Sequence, residues 1–356
     1  MMKAIELFAG AGGLSLGLKQ AGIEVILANE IEKDFAKTYS INNPKTKMIN
    51  DDIHNIDWNN ELSNLGDIDL VSGGPPCQGF STVGSKNEKD PRNSLFYEYI
   101  RCVTAVRPSY VIFENVAGFK RMYSGTAYTS LLNELKNLGY ETASSIVEAS
   151  DFGLPQRRQR TIVIGWKKGL KQVPLPNPTH SKNSNLFESQ NKISVWDAIS
   201  DLPQIAANDS SDTYSTDPQN DYQKAIRNGC RVLTEHNSSN YGKKMLEILK
   251  LVPDGGSVED LPLHLRPKSY FKNTYARLVP NECSPTITRN FGTPSSSRCI
   301  HPFQNRALST REGARLQGFP DNYIFFGGKG SKNLQIGNAV PPLFGKIIAQ
   351  EILKTL

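Results

Sequence analysis

The sequence of 356 residues lacks the features that define secreted, membrane-spanning and disulfide-rich proteins. Its five cysteines are widely spaced and odd in number, which argues against a disulfide framework and against Cys-x-x-Cys zinc or redox motifs. No run of about 18 apolar residues occurs, so no segment is predicted to span a membrane. Glu6 and the glycines that follow it interrupt any secretory signal. We therefore expect a cytoplasmic protein with reduced thiols and no membrane partner.

The excess of positive charge is small, because 41 Lys and Arg against 35 Asp and Glu give a net charge of +6. Such an excess permits a nucleic-acid partner but does not establish one. The charge is uneven: residues 157–171 and 264–306 are basic, whereas residues 184–225 hold seven acids and two lysines. Hydrophobic residues make up 38% of the chain, which suffices for a packed core and excludes a disordered, collagen-like or coiled-coil protein.

Over the first 165 residues, short apolar runs alternate with helical patterns, which is typical of βαβ units and a parallel sheet. The predicted strands are residues 4–8, 24–28, 67–72, 110–113, 142–148 and 161–166, the last two as antiparallel neighbours. The predicted helices are residues 14–20, 33–40 and 95–106, one that ends near Gly139, and 343–356. The predicted fold class is therefore α/β, with a Rossmann-like sheet.

The regular pattern stops after Trp166. Residues 173–180 contain three prolines, and residues 183–220 are rich in Ser, Asn and Asp. The helical pattern returns at Leu334. The chain length also corresponds to two domains of about 150 residues each. We predict one domain from residues 1–178 and 334–356, and a second, smaller and irregular domain from residues 179–333.

Distinctive residues follow the predicted strands at their carboxyl ends, where open α/β sheets bind ligands. The glycine-rich turn 8–13 lets a ligand approach the backbone and offers free N–H groups at a helix start. Glu30, about 20 positions further on, suits the hydroxyls of a ribose. Asp52 could bind an adenine amine, and Ile53 its ring face. These residues predict a dinucleotide or S-adenosylmethionine; the alternative is a tight turn without a ligand.

Cys77 follows two prolines at the end of the third predicted strand and has glycines on both sides. A lone cysteine is usually a small buried hydrophobe, but this setting favours a nucleophile. The arginine-rich stretch 156–160 would supply positive charge that favours the thiolate. A zinc deaminase is excluded, because the chain has no His-x-Glu and no Cys-x-x-Cys. A cysteine protease is disfavoured, because none of the five histidines lies in a recognisable setting.

Seven sequence blocks occur in a fixed order along the chain. They are ELFAGAGG at 6–13, GGPPCQGFS at 73–81, ENV at 114–116, QRRQR at 156–160, SPTITR at 284–289, REGARLQGFP at 311–320 and QIGNAVPP at 335–342. This set resembles the ordered motifs of the cytosine-5 DNA methyltransferases, most of all the bacterial modification enzymes. The resemblance covers the chain except for about residues 180–270.

The resemblance implies methyl transfer from S-adenosylmethionine to C5 of a cytosine that is swung out of duplex DNA. Cys77 would attack C6 as a thiolate, while Glu114 would hold N3 and the exocyclic amine. Arg160 would donate to O2 of the base, and Arg158 would lie near the thiolate. Loss of the C5 proton with β-elimination would then release Cys77. This chemistry needs no metal.

The resemblance also assigns the cofactor site. Phe8 would lie against the adenosine, Glu30 would bind the ribose diol, and Asp52 with Ile53 would contact the adenine. Ile31 stands where many relatives carry Trp. The other assigned cofactor contacts are Gly10, Gly12, Gly13, Pro75, Asn338 and Val340.

DNA binding is assigned to the irregular domain by position, as a target-recognition domain with hinge segments. The basic stretch 264–306 suits phosphate contacts, whereas the acidic stretch 184–225 is alternatively a solvated linker. Residues 83–94 resemble the family's catalytic loop that closes over DNA. The residues assigned to DNA contact are Gln78, Ser81, Ser85, Lys86, Arg92 and Arg289.

The protein is predicted to be the modification enzyme of a restriction–modification system, with a cognate endonuclease as partner. We expect a monomer that methylates double-stranded DNA. It would act in the bacterial cytoplasm, associated with the nucleoid. Methylation of cytosine in tRNA is the alternative with the same chemistry, but the long variable domain favours DNA. A NAD-dependent oxidoreductase would leave Cys77, Glu114 and the arginines without a task. An inactive DNA-binding module would not need Cys77 and Glu114.

Overall fold

The structure is a computed structural model that describes residues 1–63, 65–76, 95–181, 190–296 and 298–356. These residues form two compact units. The first unit is Met1–Glu148, Gln159–Asn177 and Val340–Leu356, and the second is Ala149–Arg158 and Pro178–Ala339. Both ends of the chain therefore belong to the first unit.

The regular elements are numbered in chain order. The strands are β1 (Lys3–Leu7), β2 (Glu24–Asn29), β3 (Lys47–Ile49), β4 (Leu70–Gly73), β5 (Tyr110–Val116), β6 (Tyr140–Glu148), β7 (Gln156–Arg157), β8 (Gln159–Lys167), β9 (His180–Ser181), β10 (Gln190–Asn191) and β11 (Ser284–Pro285). The helices are α1 (Gly13–Gln20), α2 (Lys33–Asn42), α3 (Trp58–Leu62), α4 (Leu95–Val106), α5 (Thr126–Asn137), α6 (Val195–Ile199), α7 (Asp221–Arg227), α8 (Lys243–Leu251), α9 (Thr310–Leu316), α10 (Lys329–Asn338) and α11 (Pro342–Leu353).

A seven-stranded sheet in the first unit has the order β3-β2-β1-β4-β5-β8-β6. The strands from β3 to β5 pair in parallel, and β8 pairs antiparallel with both β5 and β6. The central strands β1 and β4 are buried along their length except for the partly exposed Lys3, as expected for strands covered on both faces. The predicted α/β fold and the predicted antiparallel neighbours are thereby confirmed. The sequence did not reveal β3, because its three partly exposed residues form no apolar run.

The core of the first unit joins the sheet to its helices. Val71 and Phe113 of the sheet share one buried cluster with Tyr99 of α4 and Leu131 of α5. The ring of Tyr99 meets the ring of Phe113 edge to face, with centroids 5.4 Å apart. Leu131 and Leu135 of α5, the helix predicted to end near Gly139, are fully buried.

The interior of the second unit contains several buried ion pairs. Arg306 forms a bidentate bond with Glu312, with N–O distances of 2.8 and 2.7 Å. Arg315 bonds both Asp201 and Asp321, and all three side chains are buried. Pairing of this kind offsets the cost of removing charges from water. A separate apolar cluster includes Ile248, Leu265, Tyr275 and Ile300.

Within the described ranges, no helix is long and apolar enough to cross a membrane. In the same ranges, no group of three or more His, Cys, Asp and Glu side chains could hold a metal ion. The described cysteines Cys102, Cys230, Cys283 and Cys299 form no disulfide with one another.

Candidate functional site

The turn between β1 and α1 is held in an unusual backbone conformation. Phe8, Gly10 and Gly12 have φ values of 55°, 56° and 87°, in the left-handed region. A Cβ added at Gly10 would meet no atom within 4 Å, so the space beside its backbone is open. Helix α1 begins at the next glycine, Gly13. The turn therefore presents backbone to an open space, as the sequence predicts for a ligand-binding turn.

Glu30 lies just after the end of β2 and reaches this turn. Its Oε2 accepts a hydrogen bond from the Gly10 N–H at 2.8 Å, and its Oε1 accepts one from the Glu32 N–H at 2.8 Å. Burial raises the pKa of Glu30, and these backbone donors oppose that shift. The carboxylate is thus fixed at the turn by backbone donors.

The residues predicted to hold an adenine ring differ in exposure. Asp52 caps a short 3₁₀ helix and accepts from the His54 N–H at 3.0 Å, which lowers the pKa of Asp52. Ile53 belongs to the core of the first unit and is 3% exposed. Ile31, by contrast, is 58% exposed. Of the two isoleucines, only Ile31 offers an apolar surface outside the core.

The turn after β4 packs against the end of β5. A Cβ added at Gly74 would lie 2.9 Å from the Glu114 carboxylate, so a larger residue there would displace this side chain. The carbonyl of Pro75 accepts a hydrogen bond from Asn115 Nδ2 at 3.0 Å. Val340, at the start of the C-terminal segment, lies beside Gly74. Cys77 comes two residues after Pro75 and lies outside the described residues.

Glu114 and Arg160 are brought together by the antiparallel pairing of β5 with β8. Arg160 Nε lies 2.8 Å from Glu114 Oε1, and the two side chains are 14% and 8% exposed. Arg160 Nη1 also donates to the carbonyl of Gln159 at 2.8 Å. The carboxylate that the sequence predicts to hold the target base is therefore oriented by the arginine predicted to assist it.

The arginine-rich stretch 156–160 alternates between buried and exposed side chains, as an extended chain does. Arg157 is exposed and pairs with Glu282. Arg158 is buried in the second unit, where its guanidinium donates to the carbonyls of Ile287, Gly337 and Ala339, each at 3.0 Å. These bonds give Arg158 a structural task. Its place beside the thiolate stays a prediction.

Gln156 makes a second set of bonds in the same unit. Its Oε1 accepts from the Ile287 N–H at 2.7 Å, and its Nε2 donates to the carbonyl of Leu316 at 3.0 Å. Gln317 in turn donates to the carbonyls of Ile336 and Ala339. Buried side chains thus join the motif blocks at 156–160, 284–289, 311–320 and 335–339. The sequence did not distinguish this structural role from a catalytic one.

Two other predicted site residues lie in the second unit. Arg289 is exposed in the second unit, and Asn338 is an exposed residue at the end of α10. Their DNA-binding and cofactor-binding roles stay predictions. Five predicted DNA contacts lie outside the described residues, namely Gln78, Ser81, Ser85, Lys86 and Arg92.

Two residues inside recognised motifs have structural roles that the sequence did not reveal. Asn115 bonds the proline turn, as described above. Glu6 is buried below the glycine turn and is hydrogen-bonded to Ser15, which also bonds Tyr39. A buried acid on a strand is unusual. That rarity was the only signal that could have singled out Glu6.

Comparison with known proteins identifies the family. The model of the C-5 cytosine-specific DNA methylases matches residues 2–354. The chain belongs to this family. It is 37% identical to the type II methyltransferase M.DdeI of Desulfomicrobium norvegicum, over 99% of this chain and 88% of that protein. It is 35% identical to the type II methyltransferase M1.HphI of Haemophilus parahaemolyticus, over 98% of this chain and 86% of that protein.

A solved structure of a relative agrees with the assignment of this chain to the C-5 cytosine methylase family. A DNA modification methyltransferase encoded within a prophage, from E. coli, superposes with a TM-score of 0.80 at 27% identity. The match covers 100% of this chain and 99% of that one. The chain is thus a DNA cytosine-5 methyltransferase with S-adenosylmethionine as methyl donor.

The described residues fit this cofactor. The open space beside Gly10 lies next to the Glu30 carboxylate, which Gly10 itself helps to hold. A carboxylate held at the turn by backbone donors suits the vicinal hydroxyls of a ribose. Phe8 is partly exposed at the same turn, where its ring could cover an adenosine.

Proposed function

We propose that this methyltransferase acts on a flipped-out cytosine in a specific double-stranded sequence through a covalent bond between Cys77 and C6. The observation that carries the proposal is the Glu114–Arg160 pair, 2.8 Å apart, beside the turn that leads directly to Cys77. A fixed, largely buried acid and cation suit the stabilisation of charge on a base that a nucleophile attacks.

The proposed reaction begins when the Cys77 thiolate forms a bond to C6. The electrons of the C5–C6 double bond then move towards C5, and charge develops on the ring. Glu114 holds N3 and the exocyclic amine, while Arg160 keeps Glu114 in place and donates to O2. Once C5 carries the methyl group, loss of its proton restores the double bond. The S–C6 bond breaks and Cys77 leaves as the thiolate.

The cofactor contacts are proposed from the glycine turn. S-Adenosylmethionine supplies the methyl group when bound. Glu30 binds the ribose diol, Phe8 covers the adenosine, and Asp52 accepts from the adenine amine. Gly10, Gly12, Gly13, Pro75, Asn338 and Val340 complete the proposed cofactor set, together with Ile31 and Ile53.

The two units are proposed to divide the work, with methyl transfer in the first and target recognition in the second. The relatives' names, type II methyltransferases, support a role as the modification enzyme of a restriction–modification system. We also propose that the protein is a cytoplasmic monomer with a cognate endonuclease. The names of the relatives favour DNA over tRNA as the substrate.

The test is methyl transfer from tritiated S-adenosylmethionine to duplex DNA and, in parallel, to tRNA. We expect label in duplex DNA, and bisulfite sequencing of DNA from cells that express the protein should locate it in one sequence. Cys77→Ser should abolish the transfer. Label in tRNA alone would establish the alternative substrate, and no label in any duplex would overturn the proposal.

A further inference from the structure

The second unit exposes aromatic side chains on one short segment. Phe271 is 73% exposed and its neighbour Tyr270 is 40% exposed. Two neighbouring exposed rings form a contiguous apolar patch, and it is patches rather than single exposed residues that mark binding sites. The segment therefore has the composition of a binding surface.

The exposed segment runs from Lys268 to Asn273, and we name these six residues the tip. All six are exposed, in the order Lys, Ser, Tyr, Phe, Lys, Asn. The tip has a lysine on each side of the aromatic pair and contains no acid. No acid occurs between Asp260 and Glu282, so the nearby sequence does not neutralise the two lysines. The charge of the tip complements a polyanion.

The backbone that follows the tip is hydrogen-bonded within the second unit. The carbonyl of Phe271 accepts from the Thr274 N–H at 2.9 Å, and the carbonyl of Thr274 accepts from the Val258 N–H at 2.9 Å. Arg277, buried just after the tip, donates to the carbonyls of Leu249, Val252, His301 and Gln304.

The side before the tip is fixed in the same way. Arg266 donates to the carbonyl of Leu261 at 2.7 Å and to that of Glu259 at 2.6 Å. Leu265 is buried in the apolar cluster of the unit. The backbone on both sides of the tip is therefore hydrogen-bonded within the unit, which limits the backbone entropy lost when the tip binds.

We propose that the tip is a sequence-reading element of this enzyme, whose Phe271 and Tyr270 rings enter a groove of the duplex while Lys268 and Lys272 bind the flanking phosphates. The inference rests on the proposed function, since it takes duplex DNA as the substrate. An apolar ring can contact a thymine methyl group or wedge into a base step, and both interactions depend on the base pair present. The lysines contribute affinity that does not depend on sequence.

The test measures binding to a duplex that contains the sequence which the enzyme methylates, as located by bisulfite sequencing. Binding is measured by fluorescence anisotropy at a series of salt concentrations. Phe271→Ala should weaken binding about tenfold without changing the dependence on salt, because no phosphate contact is lost. Lys268→Ala and Lys272→Ala should each lower the slope of log K against log salt by about 0.9. Tyr270→Ala provides an independent test of the aromatic pair.

Matched controls lie in the same unit outside the tip. Phe303, 53% exposed, and Lys244, also exposed, should be replaceable by Ala without effect on affinity or salt slope. Bisulfite sequencing should show that Phe271→Ala relaxes the choice of base at one or two positions of the recognition sequence. Stabilisation by S-adenosylmethionine verifies that each variant is folded.

The outcomes separate the tip from the proposed function. If the wild-type protein methylates no duplex, the proposed function fails. If the wild type methylates its sequence, and Phe271→Ala and Tyr270→Ala bind and select DNA as it does, then the tip proposal alone is overturned. That second result would also indicate that a protein partner, rather than DNA, covers the exposed rings.

Discussion

At the scale of single residues, the five positions from Gln156 to Arg160 show that residue type does not decide function. Arg158 and Arg160 are two residues apart and chemically identical, yet one bonds three carbonyls and the other pairs with Glu114. The local motif could predict that positive charge belongs near the nucleophile. Which guanidinium faces the acid depends on the pairing of β5 with β8, a contact between distant parts of the chain.

Glu6 is a second residue whose role depends on burial. It lies below the glycine turn and is hydrogen-bonded to Ser15, and Ser15 is hydrogen-bonded in turn to Tyr39. Burial raises the pKa of Glu6 well above its usual 4.5, and the nearby Glu30 carboxylate raises it further. The folded protein therefore keeps a proton on Glu6 that the unfolded chain releases.

Glu6→Gln should make stability less sensitive to pH. Below pH 4.5 Glu6 is protonated in both the folded and the unfolded protein. As the pH rises from there towards the pKa of Glu6 in the folded protein, only the unfolded chain loses the proton. The free energy of unfolding of the wild type therefore falls over this range. The Gln variant, which cannot ionise, should gain about 1.4 kcal/mol relative to wild type for each pH unit in that window. Urea unfolding from about pH 5 to about pH 9 measures this difference. The exposed Glu24→Gln is the control, and a difference that stays constant with pH would contradict the prediction.

At the scale of elements, the contact between α1 and α11 joins the two ends of the chain. Gly17 of α1 and Gly345 of α11 let the helix backbones approach closely, and a Cβ at Gly17 would overlap the carbonyl oxygen of Pro342. A Cβ at Gly345 would likewise overlap the carbonyl oxygen of Leu14. The sequence predicts both helices but not their contact, because nothing local marks a glycine as a helix crossing.

Gly17→Ala should destabilise the protein by about 1–3 kcal/mol, because the added methyl group must displace backbone. The matched control is Gly330→Ala in α10, where an added Cβ meets no atom within 4 Å. That variant should be stabilised by about 0.5–1 kcal/mol through helix propensity. Denaturant midpoints measured at one pH compare the two. Equal effects of the two substitutions would exclude a close crossing at Gly17.

At the scale of the whole molecule, cofactor binding and covalent chemistry should be separable. S-Adenosylmethionine at about 100 times its Kd adds about 2.7 kcal/mol to the free energy of unfolding. Cys77→Ser should keep the resulting rise in Tm, because the proposed ribose contact is Glu30. Glu30→Ala should lose it. An unchanged Tm rise in Glu30→Ala would remove that residue from the cofactor site.

The same variants should differ on a denaturing gel. DNA that contains 5-fluorocytosine should form a covalent band with the wild type, because fluorine cannot leave C5 as a proton does. Cys77→Ser should give no such band. A shifted band from this variant would show that another residue is the nucleophile.

The sequence by itself determined most regular elements of the first unit and predicted the candidate residues of the site. Alternating apolar runs predicted most strands and helices of the first unit, the motif blocks predicted Cys77 and Glu114, and the spacing from the glycine turn predicted Glu30. These signals are local, because backbone periodicity and the demands of glycine and proline depend on neighbours in the chain.

Only the tertiary structure decided which of these residues meet. It paired Glu114 with Arg160, committed Arg158 to three carbonyls, buried Glu6 and placed Gly17 against α11. Each of these outcomes depends on contacts between segments far apart in the sequence. Burial and pairing are properties of the packed chain, so residue types and their spacing could not reveal them.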